Sequence, residues 1–179
     1  MQPGLIIGNY SAGWSRGSSL GSKAAIPIDI MDTKLKGDIA EQAVVLYALR
    51  SGWGVLRPIG DRLAYDIVLD INGILVKIQV KAAWFDAKRN NYVVDNRRTK
   101  TNRRIMIREK YDLHDFDFAV VFIEDLNIFY VFPCEVFISY ASEIHLVESA
   151  RRQRKPKSAI YRDAWNLVLQ RAALSEMMK

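Results

Sequence analysis

Between Tyr65 and Lys81 the chain reads Tyr65-Asp66-Ile67-Val68-Leu69-Asp70-Ile71-Asn72-Gly73-Ile74-Leu75-Val76-Lys77-Ile78-Gln79-Val80-Lys81. β-Branched residues dominate both halves, and Asn72-Gly73 divides them. That dipeptide prefers the two positive-φ positions of a tight hairpin turn, so strands are predicted over Tyr65–Ile71 and Ile74–Trp84. A two-residue turn pairs Ile71 with Ile74 and, further down the ladder, sets Asp66 opposite Gln79. Side chains alternate along a strand. Asp66, Gln79 and Lys81 therefore share one face, while Ile67, Leu69, Ile78 and Val80 turn to the other face and into a core.

One carboxylate, one amide and one ammonium on a single hairpin face suit phosphodiester hydrolysis. That reaction needs oxygen ligands for a hard divalent ion and a cation beside the attacking water and the phosphate. On this reading Asp66 is the metal-bridging ligand. Gln79 offers its side-chain oxygen, Val80 its backbone carbonyl, and Lys81 stands by the water. Lys77, opposite Val68, is the rival lysine, one step further from Asp66. Asp70, opposite Leu75, reads as a solvated acid near the turn.

Outward from the hairpin, Leu35, Ile39, Ala43 and Leu46 fall at helical spacing, and Ser51-Gly52 stops the run. A helix is predicted over 34–50. A short strand, Trp53–Pro58, and a loop at 60–62 follow it. Further strands are predicted at Asn91–Asn96, Phe116–Ile123 and Ile128–Phe132, and a closing helix at Ala159–Met178. This order implies an α/β fold, a mixed β-sheet flanked by helices.

The chain has 179 residues, half of them hydrophobic. That suffices for one well-buried core and is cramped for two. Residues 1–30 hold five of the ten glycines, show no sustained period, and read as a flexible N-terminal extension or leader ahead of a 31–179 domain. The single cysteine, Cys134, excludes an internal disulfide framework and Cys-based zinc, which suits a reducing cytoplasmic compartment. No apolar run approaches the length that spans a bilayer. His114 and His145 lack partners at metal-ligand spacing.

Net charge is +6 with pI near 9.5, a bias toward polyanions. The excess is concentrated: residues 88–110 carry nine Lys/Arg against Asp95 and Glu109. Lys88, Arg97, Arg98, Lys100, Asn102, Arg103 and Arg104 fit phosphate tracking with some reading of base edges, because Arg matches guanine and Asn adenine. A second basic run, Arg151–Lys157, is either a further DNA contact or a solvated linker.

With these residues in view, the sequence resembles the PD-(D/E)xK nuclease superfamily. Tyr65-Asp66 stands where Pro-Asp often does, and Gln79-Val80-Lys81 stands for Glu-x-Lys. It is most similar to group I intron-encoded homing endonucleases with a Gln-x-Lys variant. The matching text is Gly37-Asp38-Ile39-Ala40-Glu41, Gly60-Asp61-Arg62-Leu63-Ala64-Tyr65-Asp66, Gln79-Val80-Lys81 and Arg97–Arg104. The resemblance implies a restriction-endonuclease-like core and site-specific cleavage of double-stranded DNA with Mg²⁺. It also implies an acid on the first helix near the metal, a position that Glu41 occupies. Glu41 prolongs an otherwise apolar stripe, which calls for a partner: a metal, a core salt bridge, or exposure at the helix start. Cutting two strands requires two active sites, hence a homodimer or homotetramer. The same superfamily also contains Holliday-junction resolvases and restriction endonucleases, and the neutrality of Gln79 leaves open an inactive DNA-binding module.

Overall fold

The computed structural model of the chain describes residues 33–60, 62–101, 106–149 and 156–178. All belong to one compact unit, Met31–Lys179. The expectation for residues 1–30, and the Arg151–Lys155 part of the second basic run, lie outside the described residues.

Helix α1 spans Thr33–Arg50 and buries Ala40, Val44 and Ala48. It ends where glycine is needed: Gly52 has φ +76°, and Trp53 N donates to Ala48 O at 3.0 Å, closing the last turn. The chain then builds a five-stranded sheet. Its members are β1 (Gly54–Leu56), β2 (Ile67–Ile71), β3 (Ile74–Ala82), β8 (Phe118–Ile123) and β9 (Ile128–Pro133), adjacent in that order. Only β3 and β8 run parallel. Asp117 sets that pair in register, its N–H donating to Lys77 O at 2.9 Å and its carboxylate accepting Lys77 N at 2.8 Å.

One face of this sheet carries Ile67, Leu69, Ile78, Val80, Val120 and Val131 against α1 and α3 (Asn166–Met177). Ile67, Leu69 and Ile78 are fully buried, each worth about 1.5–3 kcal/mol of transfer free energy. Tyr47 of α1 stacks on Trp165 at 4.1 Å. The opposite face carries a second core beneath β8 and β9. There Val121, Ile123, Tyr130 and Phe132 pack against β5 (Asn91–Asp95), β10 (Glu143–Leu146) and α2 (Cys134–Ser139). Strands β10, β5 and β4 (Trp84–Asp86) form a second, antiparallel sheet. Strands β6 (Arg97–Thr101) and β7 (Met106–Lys110) pair as a separate two-stranded ribbon.

Three expectations need correction. The strand predicted to reach Trp84 breaks at Ala83, whose N–H donates to Phe122 O, and Trp84 enters the second sheet. The closing helix is not continuous. A 3-10 turn over Lys157–Tyr161 precedes it, and Asp163, at φ +49°, interrupts it. The interruption is a clamp on β9, with Asp163 N donating to Phe129 O at 2.7 Å and its carboxylate accepting Phe129 N at 3.1 Å. Helix α2 and strand β10 have no predicted counterpart. No helix among the described residues is long and apolar enough to cross a membrane.

Candidate active site

Asn72 and Gly73 have φ +54° and +82°, the conformation that tight hairpin turns require. The ladder runs from Ile71↔Ile74 to Ile67↔Ile78 without a bulge. Asp66 lies one step before β2 and leaves the ladder: its N–H donates at 2.9 Å to Ile78 O, the carbonyl of the residue already paired with Ile67, so the expected backbone pairing of Asp66 with Gln79 is not formed. The carboxylate of Asp66 reaches Gln79 all the same. Gln79 Nε2 donates to Asp66 Oδ2 at 2.5 Å, and Val80 N donates to the same oxygen at 2.7 Å.

The second layer stops short of β2 and β3, and a cavity of about 260 Å³ occupies the gap. Gly60, Leu63, Tyr65, Asp66, Gln79, Lys81, Arg98 and Tyr111 line it. Two larger clefts lie elsewhere, one beside Asp117 and Arg171 and one beside Tyr92 and Glu148. Neither contains the convergent acid, amide and lysine, so size does not identify the site.

Lys81 places Nζ 3.0 Å from Arg97 O and 5.2 Å from the centre of the Tyr111 ring. Its rival Lys77 turns away and donates to His114 O at 2.7 Å. Between the two lysines the register thus selects Lys81.

Burial governs the charges here. It pushes the Asp66 carboxyl above its ordinary range, against the Val80 N–H and the nearby Lys81, Arg98 and Arg57. Burial likewise lowers the Lys81 ammonium, against Asp66 and Asp95, with Arg98 adding to the shift. Both groups are displaced toward neutrality, which keeps Lys81 closer to a proton-accepting amine than a surface lysine is. Burial also raises Tyr111, with Asp66 adding.

Glu41 points toward this end of the sheet without lining the cavity. Arg57 Nη1 stands 3.6 Å from its Oε2, so of the partners expected for Glu41 a half-exposed salt bridge is the one formed. Burial raises its pKa first and the charge of Asp66 second, which marks the two carboxylates as electrostatic neighbours.

Among the described residues no group of three His, Cys, Asp or Glu side chains is placed to hold a metal ion. The oxygen set nevertheless fits a hard cation. Gln79 Nε2 bridges two oxygens, Asp66 Oδ2 at 2.5 Å and Val80 O at 3.1 Å, so both already share one electropositive partner. A half-turn of the amide exchanges Nε2 for Oε1 and converts that bridge into a third oxygen donor.

The basic residues divide. Lys88 is exposed in the turn between β4 and β5. Arg97 is held by Asp95 through two side-chain bonds of 2.9 and 2.8 Å. Arg98 lines the cavity itself. The Lys100 side chain and Asn102, Arg103 and Arg104 lie outside the described residues. Arg57, Tyr111 and the inward placement of Arg98 carried no signal in the sequence, since each depends on contacts between distant segments.

A family model described as PD-(D/E)XK endonuclease matches residues 31–168. The chain belongs to the PD-(D/E)XK endonuclease family. Among solved structures, a bacterial homing endonuclease, I-Ssp6803I, is 61% identical to this endonuclease with a TM-score of 0.77. That match covers 82% of this chain and 99% of the other. No curated protein matches the endonuclease in sequence. Its mixed sheet between helices and a second β-layer is a restriction-endonuclease-like core, its substrate is DNA, and its family works generally with divalent metal ions.

Proposed function

We propose that this endonuclease makes site-specific double-strand breaks of the intron-homing type, with Mg²⁺ as its metal and with Asp66, Gln79, Lys81 and Glu41 as its working residues. The observation that carries this reading is the convergence of Asp66, Gln79 and Lys81 on one cavity at the open end of the β2–β3 hairpin. The 61% identity to a bacterial homing endonuclease supports the homing assignment and a cytoplasmic place of action.

Asp66, the Gln79 amide oxygen and the Val80 carbonyl would hold the ion, with Glu41 as the second carboxylate once it leaves Arg57. So few charged ligands suit Mg²⁺, which commonly binds through one or two carboxylates and completes its shell with water and substrate phosphate. When bound, the ion supplies Lewis-acid charge at the phosphate and makes a coordinated water more acidic. Lys81, whose ammonium burial makes easier to deprotonate than a surface lysine's, orients the attacking water and accepts or returns a proton at Nζ. The Tyr111 ring and Arg97 O keep that nitrogen in place. The basic residues Lys88 and the Arg97–Arg104 segment, Arg98 excepted, contact the duplex and make binding salt-dependent. Two strands need two such sites, so the working form is a homodimer or homotetramer.

The test is cleavage of a plasmid library of randomised inserts, with Mg²⁺, by wild type, Asp66→Ala and Lys81→Ala. Recurrent double-strand cuts at one sequence by wild type alone are expected. Cutting retained by both variants would falsify the site assignment.

A further inference from the structure

Strand β6 meets the candidate site twice within two residues. Arg97 O accepts Lys81 Nζ at 3.0 Å. Arg98, one residue on, sends Nη2 to Arg62 O at 2.9 Å and Leu63 O at 2.8 Å. Those two carbonyls belong to the segment that leads through buried Ala64 into Asp66. The ribbon formed by β6 and β7 pairs with neither sheet, so these contacts with Lys81 and with residues 62–63 are specific joints between a basic arm and the hairpin face.

We propose that Arg98 is a positioning residue for cleavage: it ties the segment entering Asp66 to the β6–β7 ribbon, so that DNA held by the ribbon sets the carboxylate against Lys81. This rests on the reading of Asp66 and Lys81 given above. Two features distinguish it from an ordinary phosphate contact. Arg98 lines the cavity beside Asp66, Gln79 and Lys81. Its guanidinium is spent on two backbone carbonyls within the protein. Two carbonyls on one nitrogen fix a direction as well as a distance, and misplacing a reacting group by about 1 Å costs on the order of 100-fold in rate.

The experiment uses the full chain and a duplex recovered from the plasmid library by wild-type cleavage. Arg98→Met keeps the length and removes every donor; Arg98→Lys restores one. Affinity and its salt dependence are measured in EDTA, and single-turnover cleavage in Mg²⁺ at saturating enzyme. Arg98→Met is expected to bind within about threefold of wild type with the same salt slope, and to cut on the order of 100-fold more slowly. Arg98→Lys is expected to recover partly, to a rate about tenfold below wild type. A wild-type rate in Arg98→Met overturns the proposal. So does a salt slope smaller by about one unit at unchanged rate, which marks a phosphate contact. So does a lysine variant no faster than the methionine one. If Arg98→Met does not fold, Arg98→Lys decides: about tenfold slower cutting at wild-type affinity supports the proposal, and a wild-type rate or lost affinity overturns it. Failure of wild type to cut any library member would instead remove the underlying reading.

Discussion

Gln79 and Asp66 face one another across the β2–β3 hairpin, with Nε2 of the amide 2.5 Å from Oδ2 of the acid. An amide tolerates this closeness because it donates. A second carboxylate at position 79 would repel Asp66 unless a cation lay between them. Gln79→Glu is therefore expected to bind Mg²⁺ more tightly, with the half-saturating concentration for cleavage falling roughly tenfold, since a hard cation prefers carboxylate to amide. In EDTA the same variant is expected to lose about 1–3 kcal/mol, because a buried donor is replaced by a like charge. Metal titration and urea unfolding in EDTA check the two halves separately.

Asp66 gives a pH signature. Its pKa is raised above the ordinary 3.8, burial being the first cause. An acid that is harder to ionise when folded contributes stability in its protonated form. That contribution is full below 3.8 and is lost as pH rises through the folded-state value. At pH 7 the ionised side chain is then a net cost to the metal-free fold. Asp66→Asn is expected to unfold at higher urea than wild type at pH 7 in EDTA, by roughly 1 kcal/mol, with no such gain near pH 3. Mg²⁺ should stabilise wild type alone. Equal midpoints at both pH values would contradict the burial argument.

The hairpin was legible because its signals are local: Asn72-Gly73 specifies the turn, and alternation then puts Gln79 and Lys81 on one face, whereas the step out of register at Asp66, which bonds Ile78 O, left no local signal. Helix α1 was legible in extent, with Gly52 at its end, but the stripe read from Leu35, Ile39, Ala43 and Leu46 is not the buried one: Leu35 and Leu46 are exposed, and Ala40, Val44 and Ala48 face the core. What stayed hidden depends on distant contacts. The ribbon of β6 and β7 is too rich in charge to show alternation. Strand β10 is four residues long and α2 six. Arg57 meets Glu41, and Arg98 meets residues 62–63, only once separate elements are brought together by the fold. The break before α3 comes from Asp163 meeting β9, a pairing that helical periodicity does not register.

That break is itself testable. Asp163 holds a left-handed backbone and bonds Phe129 through both its N–H and its carboxylate. Asparagine tolerates that conformation and keeps an acceptor, whereas alanine does neither. Asp163→Ala is expected to cost about 2 kcal/mol, a fall of roughly 4–8 °C in the thermal midpoint, and Asp163→Asn less than about 1 kcal/mol. Calorimetry of the pair distinguishes the clamp from a simple surface turn, for which both changes would be silent.

Glu41 separates stability from metal binding. Its partner Arg57 is 3.6 Å away, and the two side chains are 30% and 43% exposed. Such a pair contributes at most about 1 kcal/mol. Glu41→Gln should leave the urea midpoint nearly unchanged in EDTA while raising the Mg²⁺ needed for half-maximal cleavage about tenfold or more. An unaltered Mg²⁺ requirement would take Glu41 out of the ligand set.

The two lysines of β3 allow the sharpest contrast within one strand. Lys81 keeps its ammonium in the cavity, where burial lowers its pKa. A base whose pKa is depressed on folding destabilises the fold while protonated, and stability returns as pH rises from the depressed value toward the ordinary 10.5. Lys81→Met removes that cost and the proton-handling nitrogen together. Cleavage is expected to fall at least about 100-fold, and the thermal midpoint at pH 7 to rise by about 2–4 °C. Lys77 donates to His114 O outside the cavity, so Lys77→Met should cut within a few-fold of wild type and gain no stability. Single-turnover rates and melting curves for both variants give the answer: equal loss of cleavage in the two would mean that the hairpin face, and not the position of Nζ, is what the reaction needs.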